Sequence, residues 1–465
     1  MSAPVIWIIF PIIASIFLLI LRMRKTLVLL LQIGLSFILV LLAAVSRFEQ
    51  IPARHLFSIF ISPEFSFLGR SFLMNETYRY IIMLVYGFLG IWTLCMFIVG
   101  QKSFLVPLGL ALNGLMLAAL TVEPFLYSAL IIEMSVIICL PILSKPDFSE
   151  NKGASRFLVY MTLGMPLILL AGWYLAGGEI SPINEEQLIQ STLLLGLGFF
   201  FWLAVFPFHT WVPIISDEME SLDGIYILIL LPVVIFLLLL KYLNGFSWLR
   251  EFQLIFDSIR LLGLIMVFSS SVWAVFQTRL RKMMGYLLIC SMGMMLLSIS
   301  LDMDEGFLLS AYFILPRLLT FLLLANALVI LEKNGSVRQI TDLKSAFYSF
   351  PFSSFAMLIA LFSISGMPLT LGFAPIQSLY SLMDRQNSLI SNLLIGSMAV
   401  LTILFFRITY LIFIREDRDS IVLESNPERY LVSVIMILVT LLGMVPSLIF
   451  PHLSNLVTGF EFLVK

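Results

Sequence analysis

The chain has 465 residues, 60% of them hydrophobic and only 12% charged, with a formal net charge of -1. A mean hydropathy of +1.06 leaves too little polar surface for a soluble globule, so the chain reads as an all-α polytopic membrane protein through its whole length. The lipid bilayer is an expected partner; nucleic acid is not.

A helix crossing the ~30 Å hydrocarbon core needs about 20 apolar residues. Dividing the chain at its polar and Pro/Gly breaks gives about fourteen such segments. They fall near 4–22, 26–45, 79–99, 103–121, 124–144, 155–176, 190–210, 223–243, 258–276, 283–301, 306–331, 352–380, 390–414 and 429–450. The first is followed at once by Arg22, Arg24 and Lys25 and has no small-residue cleavage site, so it reads as a retained helix rather than a signal peptide. The longest hydrophilic stretch, about 46–77, alternates apolar and polar residues from Phe57 to Ser62 and predicts a short extramembrane hairpin or strand pair.

Glu133 stands alone in the middle of segment 5. A carboxyl in hydrocarbon is costly, so it is either a protonatable station or a group bonded to a neighbouring helix or a partner subunit. At the end of segment 7, Phe206-Pro207-Phe208-His209-Thr210-Trp211-Val212-Pro213 joins helix breakers, a titratable ring and an interfacial Trp. It reads as a helix end anchored at headgroup level, or as a proton entry or exit at His209. Lys241, at the end of segment 8, is placed to snorkel.

Cys95, Cys139 and Cys290 lie in or at the ends of apolar segments, too scattered for a disulfide framework or a metal site. Arg279, Arg281 and Lys282 form a basic run in a loop, where they set topology or touch anionic lipid. The loops after segments 1, 3, 5, 7, 9, 11 and 13 hold about twice as many Lys and Arg as the opposite set. The opposite loops at 177–189 and 302–305 carry Glu179, Glu185, Glu186, Asp302, Asp304 and Glu305 instead. Both termini are therefore expected on the non-cytoplasmic side, in a bacterial cytoplasmic membrane. The loop after segment 7 conflicts, with Asp217, Glu218, Glu220 and Asp223 and no basic residue.

Segments 4–8 (103–243) and 9–13 (258–414) are expected to be two five-helix repeats. Each set holds an interrupted helix: one at Pro207 and Pro213, the other at Gly366, Pro368, Gly372 and Pro375. Paired broken helices point to a transport path. There is no Gly-rich nucleotide loop, metal-ligand spacing or nucleophile motif, so no catalytic centre, cofactor or metal is expected within the chain.

The phrase FPFHTWVP (206–213) resembles the signature after helix 7 of the proton-conducting membrane transporter family. That family supplies the antiporter-like subunits of respiratory complex I, membrane-bound hydrogenases and Mrp antiporters. Further matches follow in order: Glu133, the run QTRLRKMMGY (277–286), SISGMPLTLGF (363–373), and Arg407 with Tyr410. The resemblance spans roughly 70–415. It implies an antiporter-like membrane subunit of a complex I-related, hydrogenase or Mrp-type assembly, whose partners are other membrane subunits.

The family's row of buried ionisable groups is largely missing. The helix-7 and helix-8 lysines align with Trp202 and Val233, and the helix-12 Lys or Glu with Ile376; the helix-11 His-Ala and Lys fall near Pro316-Arg317 and Thr320. Glu133 alone survives, with Arg317 a newcomer, so a degenerate proton path and a scaffolding or coupling role are expected. Arg317 is read as a partner of Glu133, as an anion site in a polar cavity, or as packing on carbonyls exposed by Pro316. Arg407 reads as a snorkelling or interhelical cation. The alternative from another class is a one- or two-component transporter of another ion or small anion, lined by Arg317 and Glu133.

Overall fold

The computed structural model describes residues 2–48, 59–67, 69–101, 103–144, 151–176, 185–219, 222–301, 304–335, 337–415, 423–457, 459–460 and 463. Phe57, Ser58, Glu179, Glu220 and Asp302, within the sequence reading above, lie outside the described residues.

The first apolar segment opens with a π-helical turn, Val5–Ile9, and continues as α1 (Phe10–Ile20) with Pro11 in its first turn. Proline has no N–H, so the Trp7 carbonyl four residues back loses its helical donor. The Tyr86 hydroxyl of α3 (Glu76–Val99) donates to it at 2.6 Å. Between them runs α2 (Lys25–Val45). The hydrophilic stretch forms β1 (Ser46–Arg47) in parallel with β2 (Ile59–Phe60), then an antiparallel hairpin of β3 (Glu64–Phe67) and β4 (Arg70–Leu73). The hairpin or strand pair expected within 46–77 is present in both forms, the hairpin at 64–73 and the β1–β2 pair. Gly69, at φ +75°, supplies its turn.

Next come α4 (Leu105–Thr121), α5 (Ser128–Leu143), α6 (Lys152–Ala176), α7 (Glu185–Trp202), α8 (Trp211–Glu218) and α9 (Leu222–Gly245); β5 (Val122–Glu123) pairs with β4. α6 and α7 cross at Gly164 and Gly198. A Cβ on Gly164 would lie 3.0 Å from the Gly198 carbonyl oxygen, so small residues set this close approach. After α10 (Ser247–Glu251) come α11 (Gln253–Val275), α12 (Leu280–Ile299) and α13 (Asp304–Gly335). Then follow α14 (Ala346–Ser349), α15 (Pro351–Ile364), α16 (Phe373–Gln386), α17 (Ser388–Phe413), α18 (Asn426–Met444) and α19 (Phe450–Ser454).

Each of the fourteen apolar segments contains a helix, and the protein is an integral membrane protein. Among the described residues ten helices are long and apolar enough to cross a membrane by themselves, and α4, α5 and α15 are shorter apolar helices. α9 and α13 form the centre: 94% of the apolar window of each is buried, as expected of helices hydrophobic on every side. α1, α2 and α18 are mostly uncovered.

Both expected interruptions occur. α7 stops at Trp202, and Ala204 at φ +53° precedes a 3-10 turn, Phe208–Thr210, that leads into α8. Pro213 does not break this path. It is the third residue of α8, in the first turn where a missing N–H costs nothing. In the second half, α15 ends at Ile364 and α16 begins at Phe373; Gly366 at φ +73° and Leu369 at φ +68° turn the chain between them. Pro375 lies in the first turn of α16. A Cβ on Gly372 would sit 1.9 Å from the Ser363 carbonyl oxygen, so only glycine fits. Its N–H donates to Ser363 Oγ at 3.0 Å.

Helix C-terminal carbonyls lack intrahelical donors, and cations meet five of these ends. Lys333 Nζ donates to Val99 O at the end of α3 (2.7 Å), and Lys241 Nζ to Leu120 O and Val122 O at the end of α4 (2.9 and 3.0 Å). Arg281 reaches Met219 O after α8. Arg250 donates to Leu243 O and Asn244 O at the end of α9, and Arg260 to Ser300 O after α12. Carboxylates do the converse at helix starts: Glu424 accepts from the Ser353 N–H in the first turn of α15 at 2.7 Å.

The Gly372→Ala substitution is expected to destabilise the chain by about 2 kcal/mol or more through overpacking against backbone. Gly396→Ala, in α17 with nothing within 4 Å of the new methyl, should leave stability unchanged or raised. Thermal unfolding in detergent compares the two.

Candidate functional site

Glu133 lies in α5, half-buried, and its Oε1 accepts a hydrogen bond from Thr162 Oγ1 of α6 at 2.8 Å. Its Oε2 is buried with no hydrogen-bond partner. Pro166, four residues beyond Thr162 in α6, removes the donor that would have served the Thr162 carbonyl. Around Glu133 the outward face of α5 is apolar, with Leu130, Met134 and Ile137 at 40%, 54% and 50% exposure. The carboxyl therefore sits near the edge of an exposed apolar face rather than at the centre of the bundle.

Trp202, the last residue of α7, is fully buried, and its indole N–H donates to Met161 O at 2.8 Å. Met161 and Thr162 are consecutive, so one turn of α6 holds the indole with one residue and the Glu133 carboxyl with the next. His209 lies in the 3-10 turn after the break, half-buried and stacked on Phe206 with ring centroids 5.6 Å apart. Its Nδ1 is buried and has no hydrogen-bond partner.

Arg317 is 4% exposed, and neither it nor Glu133 forms an ion pair among the described residues. Its guanidinium donates to Leu228 O (3.1 Å, Nη2) and Ile229 O (3.5 Å, Nε) of α9 and to Leu288 O of α12 (2.8 Å, Nη1), and contacts Ser291 Oγ. The reason is in α9: Pro232 lacks the N–H that would have served Leu228, four residues earlier. The carbonyl reading is thus correct in kind, but the carbonyls belong to α9 and α12, not to the turn opened by Pro316. One guanidinium ties three helices.

Val233 is fully buried among apolar neighbours in α9. Ile376 packs beside Gly366, where an added Cβ would meet it at 3.0 Å. Thr320 Oγ1 and Ser363 Oγ are 3.2 Å apart. Arg317, Thr320, Ser363, Gly372 and Ile376 line a cavity of about 30 Å3, room for a water or two at most. Glu133, His209 and Arg317 are therefore separate features, not one constellation.

Two other cations differ from their sequence reading. Lys241 does not snorkel: it pairs with Glu123 at 2.9 Å while capping α4. Arg281 is not a loop residue but sits buried at the start of α12, forked onto Glu332 of α13 with Nε–Oε1 2.6 Å and Nη2–Oε2 2.5 Å. The acidic loop that conflicted with the charge rule is partly neutralised here, since Asp217 pairs with Arg279 at 2.9 Å. Arg407 is exposed on α17 with no partner among the described residues, beside Tyr410 at 70% exposure. Cys95, Cys139 and Cys290 are buried and free, as expected. Sequence reading missed Thr162, Glu123 and Glu332; Pro166 was the one local signal pointing to Thr162.

Residues 159–402, just over half of the chain, match the sequence profile described as NADH:quinone oxidoreductase/Mrp antiporter, TM. The chain is 24% identical to NADH-quinone oxidoreductase subunit N of Francisella tularensis subsp. holarctica, over 60% of this chain and 59% of that one. It is 29% identical to NADH-quinone oxidoreductase subunit N 1 of Herpetosiphon aurantiacus, over 49% and 50%. The match thus spans between a half and three fifths of these relatives. Among solved structures, a chain of respiratory complex I from Thermus thermophilus with bound NADH superposes at a TM-score of 0.81. That superposition covers 99% of this chain and 100% of the other at 17% identity, and shows the same fold.

Arg317→Met should cost about 1–3 kcal/mol by stranding buried carbonyls. Adding Pro232→Ala restores an N–H to Leu228 O and should recover part of that loss, a coupling of about 1 kcal/mol. Unfolding of the two single variants and the double variant in detergent measures it, and additive losses would contradict the assignment.

Proposed function

Because the chain belongs to the NADH:quinone oxidoreductase/Mrp antiporter transmembrane family, we propose that it is an antiporter-like membrane subunit of a complex I-related assembly. The assembly is of NADH:quinone oxidoreductase, hydrogenase or Mrp type. The chain's proton path is degenerate, and its role is scaffolding or coupling. Its partners are other membrane subunits, and the two broken-helix sets, 103–243 and 258–414, are the inherited repeats of the family's architecture.

The packing at Trp202 carries this reading. A relay needs titratable groups joined by water, and the buried indole spends its only donor on a backbone carbonyl beside the residue that holds Glu133. Val233 and Ile376 extend the dry interval, and Arg317 keeps its charge at every relevant pH. Glu133 then serves as a polar contact within the bundle through its hydrogen bond with Thr162. The transporter alternative loses ground because the cavity at Arg317 is about 30 Å3 and the guanidinium is already spent on carbonyls.

In vesicles reconstituted with the purified chain, proton flux is expected at the leak level and unchanged by Glu133→Gln. A gradient-driven flux that this substitution abolishes would sink the degenerate-path reading, while isolation of the chain alone from native membranes would sink the assembly reading. The proposed orientation puts both termini on the non-cytoplasmic side of a bacterial cytoplasmic membrane. A membrane-impermeant thiol reagent should then label S62C but not K344C in intact cells; the reverse pattern inverts the topology.

A further inference from the structure

A cavity of about 460 Å3 opens where the end of the first apolar segment meets the starts of α2 and α4. Arg22, Lys25 and Ser103 lie on its polar side, and Leu29, Val106 and Pro107 on its apolar side. Among the described residues no carboxylate lines it. Its neutral polar groups are already used: Gln101 Oε1 accepts from the Leu222 N–H and Ser103 Oγ from the Leu105 N–H, both at 2.8 Å.

The cations are not used. Lys241, Arg250, Arg260, Arg281 and Lys333 are each spent on carbonyls or carboxylates, whereas Arg22, Arg24 and Lys25 are exposed and have no hydrogen-bond or ion-pair partner among the described residues. Around them Met23 and Phe104 are 85% and 48% exposed, which places the opening at the level where headgroups meet acyl chains.

We propose that this cavity is a seat for an anionic phospholipid, its phosphate held by Arg22 and Lys25 and the start of an acyl chain laid along Leu29, Val106 and Pro107. Three properties coincide there: unspent positive charge, an apolar wall and a volume within the usual range of ligand sites. A free phosphate answers only the first and leaves the wall wet. A zwitterionic lipid answers the second without the net charge that the cations call for. The lipid occupies the crevice between two poorly covered peripheral helices and the better-buried α4, and so fastens them together.

Native mass spectrometry of the full chain in detergent, titrated with phosphatidylglycerol or phosphatidylcholine, tests this. The wild type should retain phosphatidylglycerol in preference. Arg22→Gln with Lys25→Gln, both at exposed positions that leave the fold intact, should weaken that binding roughly 25-fold, about fivefold per cation, with phosphatidylcholine unaffected. Arg24→Gln removes the same charge from beside the cavity lining and should do less. Equal retention of the two lipids by the wild type overturns the proposal, as does undiminished phosphatidylglycerol binding by the double variant. Displacement of the lipid by an equal concentration of inorganic phosphate would show a free-anion site instead, and overturns it too.

Discussion

A backbone carbonyl inside hydrocarbon has no water to turn to, and most of this structure follows from how its unpaired carbonyls are served. Proline opens them within helices, and helix ends leave more. Tyr86 answers the one opened by Pro11, Arg317 the one opened by Pro232, and Lys333, Lys241, Arg281, Arg250 and Arg260 answer the ends of α3, α4, α8, α9 and the turn after α12. All of these bonds but Arg250's join groups 40 or more residues apart in sequence that apolar packing alone would leave free to slide, so the chain's few charges act as crosslinks.

That use of charge bears directly on function. A relay requires ionisable groups that exchange protons, whereas these cations donate their N–H groups to backbone carbonyls, and Lys241, Arg281 and Lys333 pair with carboxylates as well. Where the resemblance places exchangeable lysines, the interior is filled by an indole, a Val and an Ile. Glu133 is bonded to Thr162 at the edge of the bundle. The broken helices persist because Gly372 and the turn at Ala204 are built into the packing, and breaking that geometry would cost stability whether or not anything passes.

Much of the site was legible as residue types and little of it as partners. Glu133, His209 and Arg317 stood out because ionisable groups in apolar segments are rare, and the broken helices because Pro and Gly cluster in them. The pairing of Arg317 with Glu133 failed because Pro232 in α9 offered carbonyls closer to the guanidinium. Arg281 was taken for a loop residue because Arg279 and Lys282 flank it; α12 begins at Leu280 and turns it inward onto Glu332. The hairpin at 64–73 falls within the stretch where one was expected, and the left-handed turn at Gly69 sets its register.

The sequence by itself determined that this is an all-helical membrane protein, where its apolar segments lie, and which two of them are interrupted. These depend on local hydropathy and on proline and glycine, whose effects reach only a few residues. Only the tertiary structure decided which carbonyl each cation serves, that Trp202 closes on Met161, that Glu133 faces Thr162, and that Arg22 and Lys25 are left over. A partner a hundred residues away is chosen by helix packing, and no local pattern records it.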